Sequence, residues 1–145
     1  MDITRGGGYL SRSSKTLTFT GAANLGANGT TATLFTVTGE ILVVALVPFC
    51  TTLLTESGAT ATIALGVTSS AALFIAATNS VELDANEFWV DTAPDANGIA
   101  LPAALKDIAI TDDIIVTSAG GTNTNAGVVR FDLYWMPLSS DAAVS

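Results

Sequence analysis

The chain reads as an all-β domain: a single-domain β-sandwich of jelly-roll type carried behind a flexible N-terminal arm. Three observations predict this class. From Lys15 onward apolar and polar residues alternate at period two, and β-branched residues fill the alternating stretches. Turn signals recur at the spacing of roughly 8 to 12 residues that short-stranded sandwiches show. No window holds an apolar stripe at helical spacing. With 145 residues the chain suits one domain, and a domain of that size buries about 70% of its unfolded surface without staples.

Each element follows from its own residues. In "KTLTFT" Leu17 and Phe19 alternate with Thr16, Thr18 and Thr20, a strand with one buried and one wet face. "ATLFTVT" (Ala32 to Thr38) repeats the pattern after the turn pair Asn28-Gly29, so these two strands are expected to form a hairpin. Beyond Gly39-Glu40, the run Ile41 to Phe49 is apolar on both alternating faces, which predicts a strand covered on both sides, the second cover being a subunit contact. Pro48 predicts that its ladder stops or bulges there. "ATATIAL" (Ala59 to Leu65) is a further alternating strand, and "AALFIAAT" fits a strand better than a helical turn. Phe88 to Val90 is strand-like but set in turn chemistry from Asp91 to Gly98 and at Pro102. "KDIAI", "DIIVTSA" and "VVRFDLYWMPL" complete eight or nine short strands, with "GGTNTNAG" as the loop before the last. In that last strand Val129, Phe131, Leu133 and Trp135 face one way, and Arg130, Asp132 and Tyr134 the other.

Charge divides the chain. Its formal net charge is −8, yet Arg5, Arg12 and Lys15, three of its five basic residues, lie in the first fifteen positions around Gly6 to Gly8. With Asp2 that stretch is net +2 and the remainder −10. The organisation expected is a basic arm over residues 1–15 on an acidic sandwich body over residues 16–145. Only Lys106 and Arg130 follow the arm, too few to neutralise phosphates, which excludes a nucleic-acid binder. Charged residues are 12% of the chain against 49% hydrophobic, about half the usual ~25% charged, so part of the surface is expected to be covered by other copies or by a larger assembly. The apolar run at Ile41 is far short of the ~20 residues of a spanning helix, so no membrane partner is expected, and no apolar stretch near Arg5 and Arg12 has the form of a secretory signal.

Catalytic chemistry is sparse in this sequence. Without histidine, and with Cys50 as the lone cysteine, there is neither an imidazole base nor a thiol or imidazole metal cluster. Carboxylates remain: Glu82, Asp84, Glu87 and Asp91 lie close in sequence, as do Asp112 and Asp113, and they fit a two-carboxylate glycosidase less well than solvated turn formers. Asp91, Asp95 and Asn97 precede Gly98 as oxygen donors do in half of an EF-hand loop, but no bidentate Glu follows, and an Asx-turn is the better reading. Asn28-Gly29-Thr30 fits a glycosylation triplet and is read as a turn. Trp89 and Trp135, beside Phe88 and Tyr134, would suit a sugar-stacking platform, against which stands the ordinary use of such pairs in core or interface. Cys50, after an apolar strand, is read as a buried small hydrophobe. The expectation is no catalytic residue, no cofactor and no metal ion. A carbohydrate-binding or adhesive module of a virion tail or cell surface is the alternative function.

The segments "TFTGAANLGANGTTATLFTVTGEILVVALVPFCTTLL", "GATATIALG", "LFIAAT", "EFWVDTAP" and "VRFDLYWMPLSSD", in that order from about Thr16 to Asp141, resemble small β-rich virion proteins of tailed bacteriophages, found among the capsid decoration (cement) proteins. That resemblance implies a homotrimer on the outer surface of the capsid that clamps neighbouring major capsid protein subunits. It implies that Arg5, Tyr9, Leu10, Arg12 and Lys15 bind the capsid or a neighbouring subunit, while Gly6 to Gly8 let the backbone lie close. Each surface ion pair contributes only ~0.2 to 1 kcal/mol, so three arms acting together would have to hold what one arm does not.

Overall fold

The period-two pattern resolves into strands in a computed structural model that describes residues 10–58 and 60–145. Three long strands make the first sheet: β1 (Ser11–Thr18), β4 (Ile41–Glu56) and β11 (Thr124–Pro137). β11 lies between β1 and β4, antiparallel to both. The far edge of β4 is shared by two partners. β9 (Lys106–Ile110) pairs with its first half and β7 (Glu87–Phe88) with Phe49 and Cys50, and β8 (Asp95–Ala96) pairs with β7. The second sheet runs in the order β2 (Thr30–Phe35), β10 (Ile114–Ala119), β5 (Thr62–Val67), β6 (Ser70–Asn79). β3 (Val37–Thr38) and β12 (Ala143–Val144) form a small ribbon beside the sandwich.

Side by side, the sheet orders β1-β11-β4-β9 and β2-β10-β5-β6 match position for position: β1 with β2, β11 with β10, β4 with β5, β9 with β6. An antiparallel ribbon wound round a barrel gives this order, the jelly-roll arrangement of two interlocked Greek keys. The two sheets bury one core. Leu46, Leu54, Phe131 and Leu133 of the first sheet and Ile63, Leu65, Ile114 and Val116 of the second are each at most 1% exposed. Among the described residues, no helix is long and apolar enough to cross a membrane.

Several expectations are corrected. The strands around Leu17 and Leu34 are not a hairpin: β1 pairs with β11 and β2 with β10, so the Asn28-Gly29 turn carries the chain between sheets. The body begins before residue 16, because Ser11 to Lys15, read as arm, are already strand. β4 continues past Pro48 to Glu56. Pro48 sits between the stretches paired with β9 and with β7, where the far ladder is interrupted and no amide donor is required. The strand expected from Ala59 begins at Thr62, and Ala59 lies outside the described residues.

Gly29 turns with φ +77°, and nothing lies within 4 Å of where a Cβ would stand. Gly29→Ala therefore meets backbone strain alone, and a loss of about 1 kcal/mol is expected in urea unfolding. Gly29→Asn, which tolerates that conformation, should lose less.

Candidate partner-binding face

The outer face of the first sheet is built by register. One row crosses five of its six strands: Thr16 opposite Arg130, Arg130 opposite Phe49, Phe49 opposite Phe88, Phe88 opposite Asp95. Residues two apart on a strand share a face, so Arg12 and Ser14 of β1 and Asp132 and Tyr134 of β11 stand beside this row. The rings of Phe49 and Phe88 meet edge to face at 4.9 Å. The Arg130 guanidinium lies over Phe49, 5.3 Å from its centroid, in cation–π geometry.

Asp132 anchors the basic side. Its Oδ1 accepts from Arg12 Nη2 at 2.6 Å and its Oδ2 from Arg130 Nε at 2.9 Å. The carboxylate is 9% exposed, against 55% and 44% for the two arginine side chains, so it holds two outward-facing guanidiniums from beneath. Burial alone would raise the Asp132 pKa, but hydrogen bonds from Ser14, Arg130 and Arg12 outweigh it and hold the carboxyl below its usual range.

Of the residues expected to bind a partner, Arg5 and Tyr9 lie outside the described residues, as do Gly6 to Gly8. Leu10 is 45% exposed just ahead of β1. Arg12 and Lys15 stand on β1 itself, on opposite faces of that strand, so they are fixed by a sheet. Alternation predicts that Arg130 and Asp132 face the same way and says nothing of Arg12 as their partner. The separation of 120 positions from Arg12 to Asp132 leaves no local signal, although an Arg and an Asp two apart on one strand face mark a place where charge is held in position.

The whole sandwich is sorted by charge. No residue of β2, β5, β6 or β10 is charged, whereas Arg12, Lys15, Lys106 and Arg130, the basic residues among those described, all belong to strands of the first sheet. On the far side of that sheet, the segment 80–105 contains Glu82, Asp84, Glu87, Asp91 and Asp95 and neither Lys nor Arg.

Four of the carboxylates weighed for catalysis, Asp91, Glu87, Asp113 and Asp112, accept hydrogen bonds within the fold. Asp91 Oδ1 accepts from Ala93 N at 2.7 Å in an Asx-turn, Glu87 Oε2 from Asp84 N at 3.0 Å, and Asp113 Oδ1 from Val37 N at 2.8 Å. Asp112 accepts from the backbone N–H and the hydroxyl of Ser69. Among the described residues no three His, Cys, Asp or Glu side chains come together as a metal site. Trp89 is fully buried, with Nε1 donating to Thr78 Oγ1 at 2.9 Å, so it offers no stacking surface. Trp135 is half-buried and donates to Ser13 Oγ at 3.2 Å. Burial, reinforced by the nearby Glu87 and Asp84 charges, pushes the Cys50 thiol up to about 11, which removes it as a nucleophile at neutral pH.

No protein-family model and no curated protein matches the chain. Its fold is similar to that of a chain in the cyanophage Pam1 capsid asymmetric unit, at 19% identity and a TM-score of 0.50, over 91% of this chain and 88% of that one. At that identity the shared property is the fold.

Proposed function

We propose that this is a structural virion protein that decorates a capsid on its outer surface and stabilises it by bridging major capsid protein subunits. The observation that carries the reading is the end-to-end likeness of its jelly roll to a chain of a cyanophage capsid. The character of the molecule supports it. Asp91 closes an Asx-turn, Asp113 holds the Val37 amide and the thiol is buried and protonated, while the organised surface feature is a held pair of guanidiniums beside an aromatic row. Such a surface recognises carboxylates on a partner by shape and charge.

In this reading Arg5, Tyr9 and Leu10 meet the capsid together with Arg12 and Lys15. The mechanism is mechanical: one body touching two capsid subunits resists their separation under internal pressure. Three copies held together would multiply weak contacts into avid binding.

The test is co-sedimentation with empty, expanded phage heads. Full-length protein is expected to pellet with heads and to saturate at a fixed ratio to major capsid protein. A version lacking residues 1–10 should keep its β-sheet circular dichroism and lose most of that binding. The deletion has to stop there, because removing residues 1–14 would also strip half of β1 from β11. Failure of the full chain to bind any head would overturn the decoration reading, and undiminished binding after deletion would overturn the role of the arm.

A further inference from the structure

We infer that copies of this chain associate side by side, the basic β1 edge of one copy against the acidic β7–β8 edge of the next. The two edges belong to the same sheet and carry opposite charge. β1 holds Arg12 and Lys15 and no acid, with Arg130 one strand behind it. The opposite edge is shared by β9, whose Lys106 and Asp107 cancel, and by β7–β8, set in the segment 80–105 with its five carboxylates and no base.

Charge leaves this approach and disfavours the others. At net −8 two copies repel in most orientations. Meeting through β1 and β1 sets Arg12 and Lys15 against the same pair, and meeting through the two acidic edges does the same with carboxylates. An isologous edge contact is therefore opposed on either side. Basic edge to acidic edge is heterologous, the contact that makes a ring when its rotation closes. Arg12 and Lys15 on an edge strand also guard against unspecific strand pairing, so β1 is selective about what it meets.

Ion pairs at a surface are individually weak, and the edges have apolar contact to add. Leu10 is 45% exposed at the start of the basic edge, and Val81 and Ile99, which bracket the acidic one, are 47% and 42% exposed. This association requires no capsid, so it stands or falls independently of the function proposed above.

Sedimentation velocity of the full chain without heads tests it. Wild type is expected to sediment as a small closed oligomer at about 20 mM salt and to dissociate toward monomer near 1 M, where screening reaches only ~3 Å. A basic-edge variant, Arg12→Gln with Lys15→Glu, and an acidic-edge variant, Glu82→Lys with Asp84→Lys, should each weaken assembly by at least about tenfold. An equimolar mixture of the two should associate again, since the acidic edge of the first variant and the basic edge of the second are both intact and meet in the wild-type contact. Recovery on mixing separates lost complementarity from misfolding. Wild type that stays monomeric at low salt would overturn the inference, whether or not it binds heads. So would an oligomer that neither variant disturbs, or variants that remain folded monomers when mixed.

Discussion

Trp89→Ala is expected to cost about 3–5 kcal/mol, the range for deleting a fully buried aromatic side chain. Trp89 follows β7 directly and is 0% exposed. Its ring meets Phe131 of β11 at 6.4 Å in a T-shaped arrangement, and its indole N–H reaches across to Thr78 of β6. One side chain thus joins the two sheets on the side where β4 changes partner from β9 to β7. The polar end matters separately. Thr78→Val is nearly isosteric but leaves the indole N–H buried without an acceptor, at about 1–3 kcal/mol. Urea unfolding of the three proteins measures both quantities, and the alanine variant should melt on the order of 10 °C lower. A loss under 1 kcal/mol for Trp89→Ala would mean that Trp89 is not the wedge between sheets that its burial indicates. Because Trp89 and Trp135 are the two tryptophans of the chain, fluorescence of Trp135→Phe reports on Trp89 alone and should redden sharply at the same midpoint.

Trp89 also shows where sequence reading stops. The strand pattern was legible, since alternation in Leu17, Phe19 and in Val129, Phe131, Leu133 reports a local property, one face wet and one dry, and all five prove buried. Pairing is not local. Asn28-Gly29 states that the chain turns, but a turn within one sheet and an arch between two sheets need the same positive-φ residue, so the expected hairpin was the wrong one of two equivalent readings. Pro48 predicts a stop or a bulge because proline removes one donor. Whether that donor is needed depends on β7 and β9, which lie some forty and sixty residues further along. The aromatic pairs suit a stacking platform, a core or an interface. Phe88 and Trp89 divide those roles between them, since successive strand residues face opposite ways, and Trp89 is the one turned inward. The Arg12 cluster is half visible in the sequence: the basic excess of residues 1–15 stands out, as an arm, while the seat of Arg12 on a strand and its buried counter-charge in β11 leave no local mark.

That counter-charge makes a second measurable quantity. Asp132→Asn is expected to lower stability by about 1–2 kcal/mol at neutral pH, a figure reduced for the half-exposed arginines, which can turn toward solvent. The substitution keeps an acceptor and removes the charge, so it isolates what the carboxylate does for Arg12 and Arg130. The pH dependence follows from the direction of the shift. Asp132 is held below its usual range in the folded chain by Ser14, Arg130 and Arg12, against the opposing effect of burial. Its contribution is therefore complete above the unfolded carboxyl value of about 3.9 and is lost as pH falls through the lower folded value. Wild type and Asp132→Asn should differ by a constant amount from pH 7 to about pH 5 and converge below about pH 4. A difference that persisted to pH 2 would assign the effect to packing. The same variant bears on assembly, because the two guanidiniums remain on the surface but no longer share an anchor. If positioned charge matters for meeting a partner, Asp132→Asn should weaken association even though it makes the basic edge more positive. A change driven by net charge alone would strengthen it, and sedimentation at low salt gives the sign.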